Sequence, residues 1–116
     1  MKKKKLKNKF ELKIFNQLEK ANIDFKYESE RIPYIIAGHY IPDFVIKTAT
    51  GNIYLETKGY FRPEHKRKMA AVKKMHPELD IRLIFYSASK SNIRWAIKHG
   101  FKFAFHQVPE DWLCGF

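Results

Sequence analysis

Apolar residues recur at three- and four-residue spacing over residues 6–21, a period typical of an amphipathic helix. Glu11 falls inside the apolar stripe, because apolar residues follow it at i+3, i+4 and i+7. Burying a carboxylate is costly unless a cation meets it, so Glu11 belongs either to an ion pair or to a functional site. The stripe consists of Leu6, Phe10, Ile14, Phe15, Leu18 and Ala21.

Shorter runs along the chain predict β-strands. Residues 25–28 alternate between aromatic and charged side chains, as expected for a half-buried strand, and residues 32–36 continue as an extended stretch. Residues 37–40, which include Gly38, predict a turn or bridge, and the segment 48–52 predicts a hairpin loop. The further predicted strands are 44–47, 53–57, 80–86 and 101–105.

Two further helices follow from start and stop signals. Pro63 suits the first turn of a helix that runs to about Met75. Ser91 is a candidate N-cap for a short helix that ends at His99. The order α, β, β, β, α, β, α, β predicts an α/β fold with a central mixed β-sheet flanked by helices.

Composition indicates one domain. With 116 residues, 45% of them hydrophobic and 16% aromatic, the chain is long enough for a core of its own. We expect residues 1–9 to form a basic flexible tail and residues 10–116 to form the domain. The lone Cys114 fits a reducing compartment, and no stretch reaches the roughly 20 apolar residues that span a bilayer. We therefore expect a soluble, cytoplasmic protein with no membrane partner and no small-molecule cofactor.

The net charge of +11 is concentrated in two places. Residues 1–9 hold six lysines and no acid, and residues 58–74 carry +6, so the rest of the chain carries −1. A phosphate backbone attracts clustered positive charge, although a lysine run alone is also typical of a solubilising tail. The candidate DNA-binding residues are Lys3, Lys4, Lys5, Arg62, Lys66, Arg67 and Lys68.

Candidate chemistry lies in the predicted hairpin, where Pro42-Asp43 is followed, after twelve residues, by Glu56-Thr57-Lys58. Glu56 and Lys58 are two residues apart on a strand and therefore project from the same face. Folding back through the hairpin loop brings Asp43 opposite position 56, so two carboxylates and an ammonium share one pocket. Two close carboxylates repel each other and bind a hard cation such as Mg²⁺, to which the Thr57 carbonyl could add a ligand.

Other residues could complete this pocket. Lys58 can position a water molecule or neutralise charge on a phosphate. A helix packed over the sheet could direct Glu11 at the same metal cluster and complete a second metal site. His39 could contact a phosphate or a metal, with an exposed turn histidine as the alternative. The spacing is the PD-(D/E)XK nuclease pattern, which implies a restriction-endonuclease-like core.

Nearly the whole chain, from about Phe10 to Leu113, resembles the phage endodeoxyribonuclease I family of four-way-junction resolvases. The matching stretches are QLEKANIDFKYE, IPY, IPDFVI, YLETKG, HPELDIRLIF, KHGFKFA and PEDWL. The resemblance implies two Mg²⁺ ions, which Mn²⁺ can replace, and a homodimer that recognises branched DNA by shape and exchanges a segment between subunits. The implied catalytic residues are Glu11, Asp43, Glu56 and Lys58, and the implied metal ligands are Glu11, Asp43, Glu56 and Thr57.

The connection at residues 35–41 is short, which leaves open whether this chain makes that exchange. We predict a Mg²⁺-dependent, structure-selective DNA endonuclease of phage or prophage origin that acts in a bacterial host. One alternative is a restriction-like or repair nuclease that acts on linear duplex DNA. The other is a non-catalytic basic nucleic-acid-binding module, which would explain the charge but not the inward Glu11 or the carboxylate pair.

Overall fold

The computed structural model describes residues 8–33 and 38–113. Lys3, Lys4, Lys5, Leu6, Cys114 and residues 35–37 of the short connection at 35–41 therefore lie outside the described residues. The helices and strands are α1 (Lys9–Lys20), β1 (Phe25–Tyr27), β2 (Ile32–Pro33), β3 (His39–Tyr40), β4 (Phe44–Thr48), β5 (Gly51–Lys58), α2 (Pro63–Met75), β6 (Asp80–Phe85), α3 (Lys90–Lys98) and β7 (Lys102–Phe105), followed by a 3-10 turn at Glu110–Trp112.

In the described residues, five strands form a central sheet in the order β1-β4-β5-β6-β7. The pairs β1–β4 and β4–β5 are antiparallel, whereas the pairs β5–β6 and β6–β7 are parallel. β2 and β3 form a separate small antiparallel sheet. The predicted α/β class with a central mixed sheet is confirmed.

Helices cover both faces of the sheet. Successive side chains of β5 point to opposite faces, so Leu55 packs against the α1 side and Tyr54 against the α2 side. Ile14, Phe15 and Leu18 of α1 are fully buried against the first face. The second face is covered by α2 and α3, whose buried contacts are Met69, Val72 and Ala96.

Helix ends follow local capping chemistry. The side chain of Asn8 accepts the backbone N–H of Glu11 at 2.8 Å, so α1 begins at Lys9. The prediction that Ser91 caps the third helix is wrong, because the hydroxyl of Ser89 accepts the backbone N–H of Asn92 and Ser91 lies in the first turn. Ser89 also has the extended backbone of an N-cap.

Two connections are more regular than the sequence predicted. His39 and Tyr40 do not belong to a turn, because they pair with Ile32 and Pro33 as β3. The hairpin loop is shorter than the predicted 48–52, since β4 extends to Thr48 and β5 begins at Gly51. Gly51 has a φ of 141°, which glycine adopts without the steric cost that a side chain would add.

Membrane association through a spanning helix has no support in the described ranges. Among their helices, none combines the length and the apolar character needed to cross a bilayer.

Candidate active site

The β4–β5 hairpin places Asp43 beside the end of β5. Phe44 pairs with Leu55, so the residue before Phe44 lies opposite Glu56, as the sequence predicted. The backbone N–H and the hydroxyl of Thr57 both donate to Oδ2 of Asp43, each at 2.8 Å. Asp43 is 2% exposed, so this carboxylate is fixed to the neighbouring strand inside the protein.

Glu56 and Lys58 face α2. The ammonium of Lys58 lies 2.9 Å from Oε2 of Glu56, and the hydroxyl of Tyr40 donates to Oε1 of Glu56 at 2.8 Å. These side chains line a cleft of about 220 Å³ together with residues of α2, including His65 and Lys68. The cleft brings together the predicted catalytic lysine, one predicted carboxylate and part of the basic helix.

Burial raises the pKa of Glu56 above its ordinary value, and the negative charge of Asp43 raises it further. Lys58 and the hydrogen bond from Tyr40 oppose this increase without cancelling it. Burial also raises the pKa of Tyr40, and the neighbouring Glu56 adds to the effect, so the Tyr40 hydroxyl stays protonated and donates. The protein therefore holds Glu56 in a place where its charge is disfavoured unless a cation meets it.

Glu11 approaches the same strand ends from the opposite face of the sheet. Its side chain is 2% exposed, as its place in the apolar stripe predicted. The hydroxyl of Tyr27 donates to Oε1 of Glu11 at 2.6 Å. Burial raises the pKa of Tyr27, and the hydrogen bond to Glu11 raises it further, so Tyr27 stays a donor.

Carboxylate oxygens of Glu11, Glu28 and Asp43 lie within 4.8 Å of one another. Asp43 thus belongs to this carboxylate group on the α1 side and also lowers the tendency of Glu56 to ionise on the α2 side. Glu56 and Lys58 are not members of the close carboxylate group. The structure accordingly divides the predicted site into two adjoining halves, with Asp43 common to both.

Glu28 is a member of the close carboxylate group that the sequence analysis did not predict. Strand alternation places it on the same side as the exposed Lys26, away from the core. Its φ of 47° breaks that alternation just after β1, and its backbone N–H donates to the carbonyl of Asp43 at 3.2 Å. A positive φ is uncommon for a residue with a side chain, and no feature of the sequence signals it here.

Tyr27 and Tyr40 were also missed as members of the site. Tyr27 follows the alternation of a half-buried strand, and its pairing with Phe44, next to Asp43, is the signal that could have found it. Tyr40 was assigned to a turn, so its burial and its contact with Glu56 were not expected.

One candidate DNA-binding residue of α2 reaches the cleft. Lys68 lines it, and the ammonium of Lys66 packs over the ring of Phe61 at 5.6 Å. Arg62 and Arg67 are exposed. Burial lowers the pKa of His65, and the positive charge of Lys58 lowers it further, so the imidazole that faces the cleft is neutral near pH 7.

His39 lies on the rim of the same cleft. Its Nδ1 lies 3.0 Å from the guanidinium of Arg31, and the residue is exposed. The close carboxylate group does not include it. This placement agrees with the exposed histidine that the sequence left as the alternative, although in a short strand rather than in a turn.

The donor set fits a hard divalent cation. The close group offers carboxylate oxygens, which Mg²⁺, Mn²⁺ and Ca²⁺ prefer over the nitrogen and sulfur ligands typical of zinc. Tyr27 and Thr57 donate hydrogen bonds to Glu11 and Asp43 of this group, and Tyr40 donates to the neighbouring Glu56. An acidic cluster able to hold such an ion is therefore present.

A larger cleft, of about 540 Å³, lies at the other end of the hairpin around residues 48–54. Its Asp80 is held by Arg82, whose guanidinium donates to both carboxylate oxygens at 2.9 and 2.8 Å. The hydrogen bond from Arg82 lowers the pKa of Asp80. Size alone would favour this cleft, but the chemistry favours the smaller one.

Comparisons with known proteins show the family of the chain. The family model for phage endonuclease I matches residues 1–115. Endonuclease I of Escherichia phage T7 is 35% identical over 113 residues, which cover 87% of this chain and 73% of the T7 protein. Endodeoxyribonuclease 1 of Enterobacteria phage T3 is 39% identical over 109 residues, which cover 84% of this chain and 69% of the T3 protein.

A solved structure, that of the EndoMS–dsDNA2 complex, is also similar. The likeness covers 93% of this chain and 48% of that chain, with 16% sequence identity and a TM-score of 0.46. Similarity at this level is too low to transfer a function.

Proposed function

Because the chain belongs to the phage endonuclease I family and is a nuclease, we propose that it is a Mg²⁺-dependent endonuclease that resolves four-way DNA junctions and cuts other branched DNA. The observation that carries the proposal is the close group of Glu11, Glu28 and Asp43 beside the Glu56–Lys58 pair. Family membership supports the nuclease chemistry, and the carboxylate group supports the use of a metal.

Two ions per site fit the two halves of the carboxylate arrangement. Glu11, Glu28 and Asp43 would hold one ion, and Asp43, Glu56 and the Thr57 carbonyl would hold the other. When bound, Mg²⁺, or Mn²⁺ in its place, lowers the pKa of a coordinated water and stabilises negative charge on a phosphate.

Lys58 and Glu56 would supply the protein's own contribution to charge stabilisation at the phosphate. Lys58 places an ammonium, only 12% exposed, in the cleft, where it balances the negative charge that develops on the phosphate oxygens. Glu56 holds that ammonium at 2.9 Å, so the charge is in position before DNA arrives. Displacement of bulk water from the cleft by a bound DNA strand would strengthen both interactions.

Basic residues near the cleft would bind the phosphate backbone. α2 begins five residues after Lys58, so its first turns lie beside the catalytic strand. Arg62, Lys66, Arg67 and Lys68 would neutralise phosphates on both sides of the cut. Lys3, Lys4 and Lys5 would extend this contact. In a phage-infected bacterium, the protein would meet its DNA partner in the cytoplasm.

Assembly follows from the substrate. A four-way junction needs two opposed cuts to give duplex products, whereas one domain supplies one site, so we propose a homodimer with two-fold symmetry. Exchange of a segment through residues 35–41 would supply the buried area that such a dimer needs, roughly 1,000 Å² or more.

The test is cleavage of a four-way junction against linear duplex of matched sequence, with Mg²⁺, with Mn²⁺ and with EDTA. We expect paired cuts in the junction, little cutting of the duplex and no cutting in EDTA. Equal cutting of both substrates would favour a restriction-like or repair nuclease. Tight binding without cleavage in either metal would favour a non-catalytic binding module.

A further inference from the structure

We propose that Tyr27 and Tyr40 are positioning residues, each of which fixes one metal-binding carboxylate through a hydroxyl hydrogen bond. Tyr27 donates to Glu11 at 2.6 Å, and Tyr40 donates to Glu56 at 2.8 Å. This inference rests on the metal-dependent function proposed above.

Both tyrosines are held rigidly. Tyr27 is 3% exposed, and its ring packs against Phe15 and Phe44 with centroid distances of 6.2 and 5.3 Å. Tyr40 is 1% exposed and belongs to the hydrophobic core on the α2 side, which includes Met69. Because each ring is buried and packed on several sides, its hydroxyl offers a defined position to the carboxylate that accepts from it.

The Tyr27–Glu11 and Tyr40–Glu56 pairs have the same hydrogen-bond arrangement on opposite faces of the sheet. Glutamate has several rotatable bonds, so an unsupported side chain loses conformational freedom each time it binds an ion. A hydrogen bond from a fixed hydroxyl removes that freedom beforehand and selects one orientation of the carboxylate. For Glu56, Tyr40 binds Oε1 and Lys58 binds Oε2, so both oxygens are oriented.

Outer partners of metal ligands commonly change metal affinity or activity 10- to 100-fold when they are removed. We therefore expect Tyr27→Phe and Tyr40→Phe each to weaken Mn²⁺ binding by about tenfold or more. The substitution deletes the hydroxyl and keeps the ring, so packing is retained. Affinity for the four-way junction in EDTA is expected to stay within about twofold of wild type, because neither substitution changes the basic residues proposed to bind phosphates.

Tyr54→Phe is the matched control. The Tyr54 hydroxyl also donates to a carboxylate, that of Glu30, at 3.2 Å, and Tyr54 is 6% exposed in the same sheet. It lies at the far end of the hairpin, beside the larger cleft. Its loss is expected to leave Mn²⁺ affinity and cleavage unchanged.

The experiment measures Mn²⁺ binding by titration calorimetry and by the rise in Tm that MnCl₂ causes, with junction cleavage as a second readout. A double-substitution cycle separates positioning from a general structural effect. Tyr27→Phe should weaken Mn²⁺ binding in the wild-type background and should cause no further loss of Mn²⁺ affinity in the Glu11→Gln background. The same pattern is expected for Tyr40→Phe and Glu56→Gln.

The inference would be overturned if Glu11→Gln and Glu56→Gln lose Mn²⁺ affinity but both tyrosine variants bind Mn²⁺ as tightly as wild type. An equal loss from Tyr27→Phe in both backgrounds would also overturn it, since the tyrosine would then act without Glu11. Unchanged Mn²⁺ affinity in Glu11→Gln and Glu56→Gln would instead show that the proposed metal site is wrong, and the positioning role would fail with it.

Discussion

Thr57 binds one oxygen of Asp43 twice, through its backbone N–H and through its hydroxyl, each at 2.8 Å. These bonds join the start of β4 to the end of β5 at the candidate active site. The carboxylate is buried, so each donor compensates for part of the water that Asp43 loses on folding. Asp43 is thus a candidate metal ligand and also a structural link between two strands.

Thr57→Val is expected to destabilise the metal-free protein by about 1–3 kcal/mol, because it removes a hydrogen bond to a buried charged group while keeping the shape of the side chain. Urea unfolding measures the difference. Thr57→Ser, which keeps the hydroxyl, should lose clearly less stability than Thr57→Val. Equal stability of Thr57→Val and wild type would show that the hydroxyl contributes nothing.

Replacing Asp43, Glu56 or Lys58 with Ala should reduce cleavage of a four-way junction by at least about 1,000-fold, comparable to the loss of a group that stabilises transition-state charge. Junction affinity should stay near wild type, because binding depends on the basic surface. Gel-based cleavage and fluorescence anisotropy in EDTA measure the two effects. Substantial cleavage by Glu56→Ala would contradict the proposed mechanism.

Much of this site could be predicted from the sequence because its key residues follow local periodicity. The helical stripe gives the burial of Glu11, and the strand period of two gives the common face of Glu56 and Lys58. Glu28 could not be predicted, since its place depends on a positive φ that glutamate seldom adopts. Tyr40 was missed because β2 and β3 are two residues each, too short for a recognisable pattern.

Arg67→Gln is expected to weaken junction binding and to reduce the slope of log K against log salt by about one, the change for one lost phosphate contact. Arg67 is exposed on α2, the helix that follows the strand carrying Glu56 and Lys58. Lys98→Gln is the control, because Lys98 is exposed at the end of α3. An identical slope for both variants and wild type would exclude Arg67 from the DNA-binding surface.

Glu56→Gln is expected to raise the Tm of the metal-free protein at pH 7. The folded-state pKa of Glu56 is raised, mainly by burial, so its contribution to stability is greatest below the unfolded-state pKa and is lost as the pH rises through the folded-state pKa. Glutamine imitates the protonated form at every pH. The difference in Tm should therefore shrink toward pH 4, and a difference that grows on acidification would contradict the assigned direction.

Light scattering at micromolar protein should give a mass of about twice 13.9 kDa, as expected for the proposed dimer. Wild type refolded together with Glu56→Ala should give mixed dimers that nick one strand of a junction. Paired cuts made by a monomer would exclude the dimer as a requirement for resolution.

The division of the site between two faces of the sheet bears on when the enzyme becomes active during its synthesis. Glu11 lies on α1, and the backbone of Glu28 is hydrogen-bonded to Asp43. Glu56 and Lys58 lie on β5, which pairs with β4 on one side and β6 on the other. A nascent chain that has not yet emerged from the ribosome beyond residue 85 lacks β6 and so cannot complete the sheet. A chain that ends before β6 is therefore expected to lack nuclease activity.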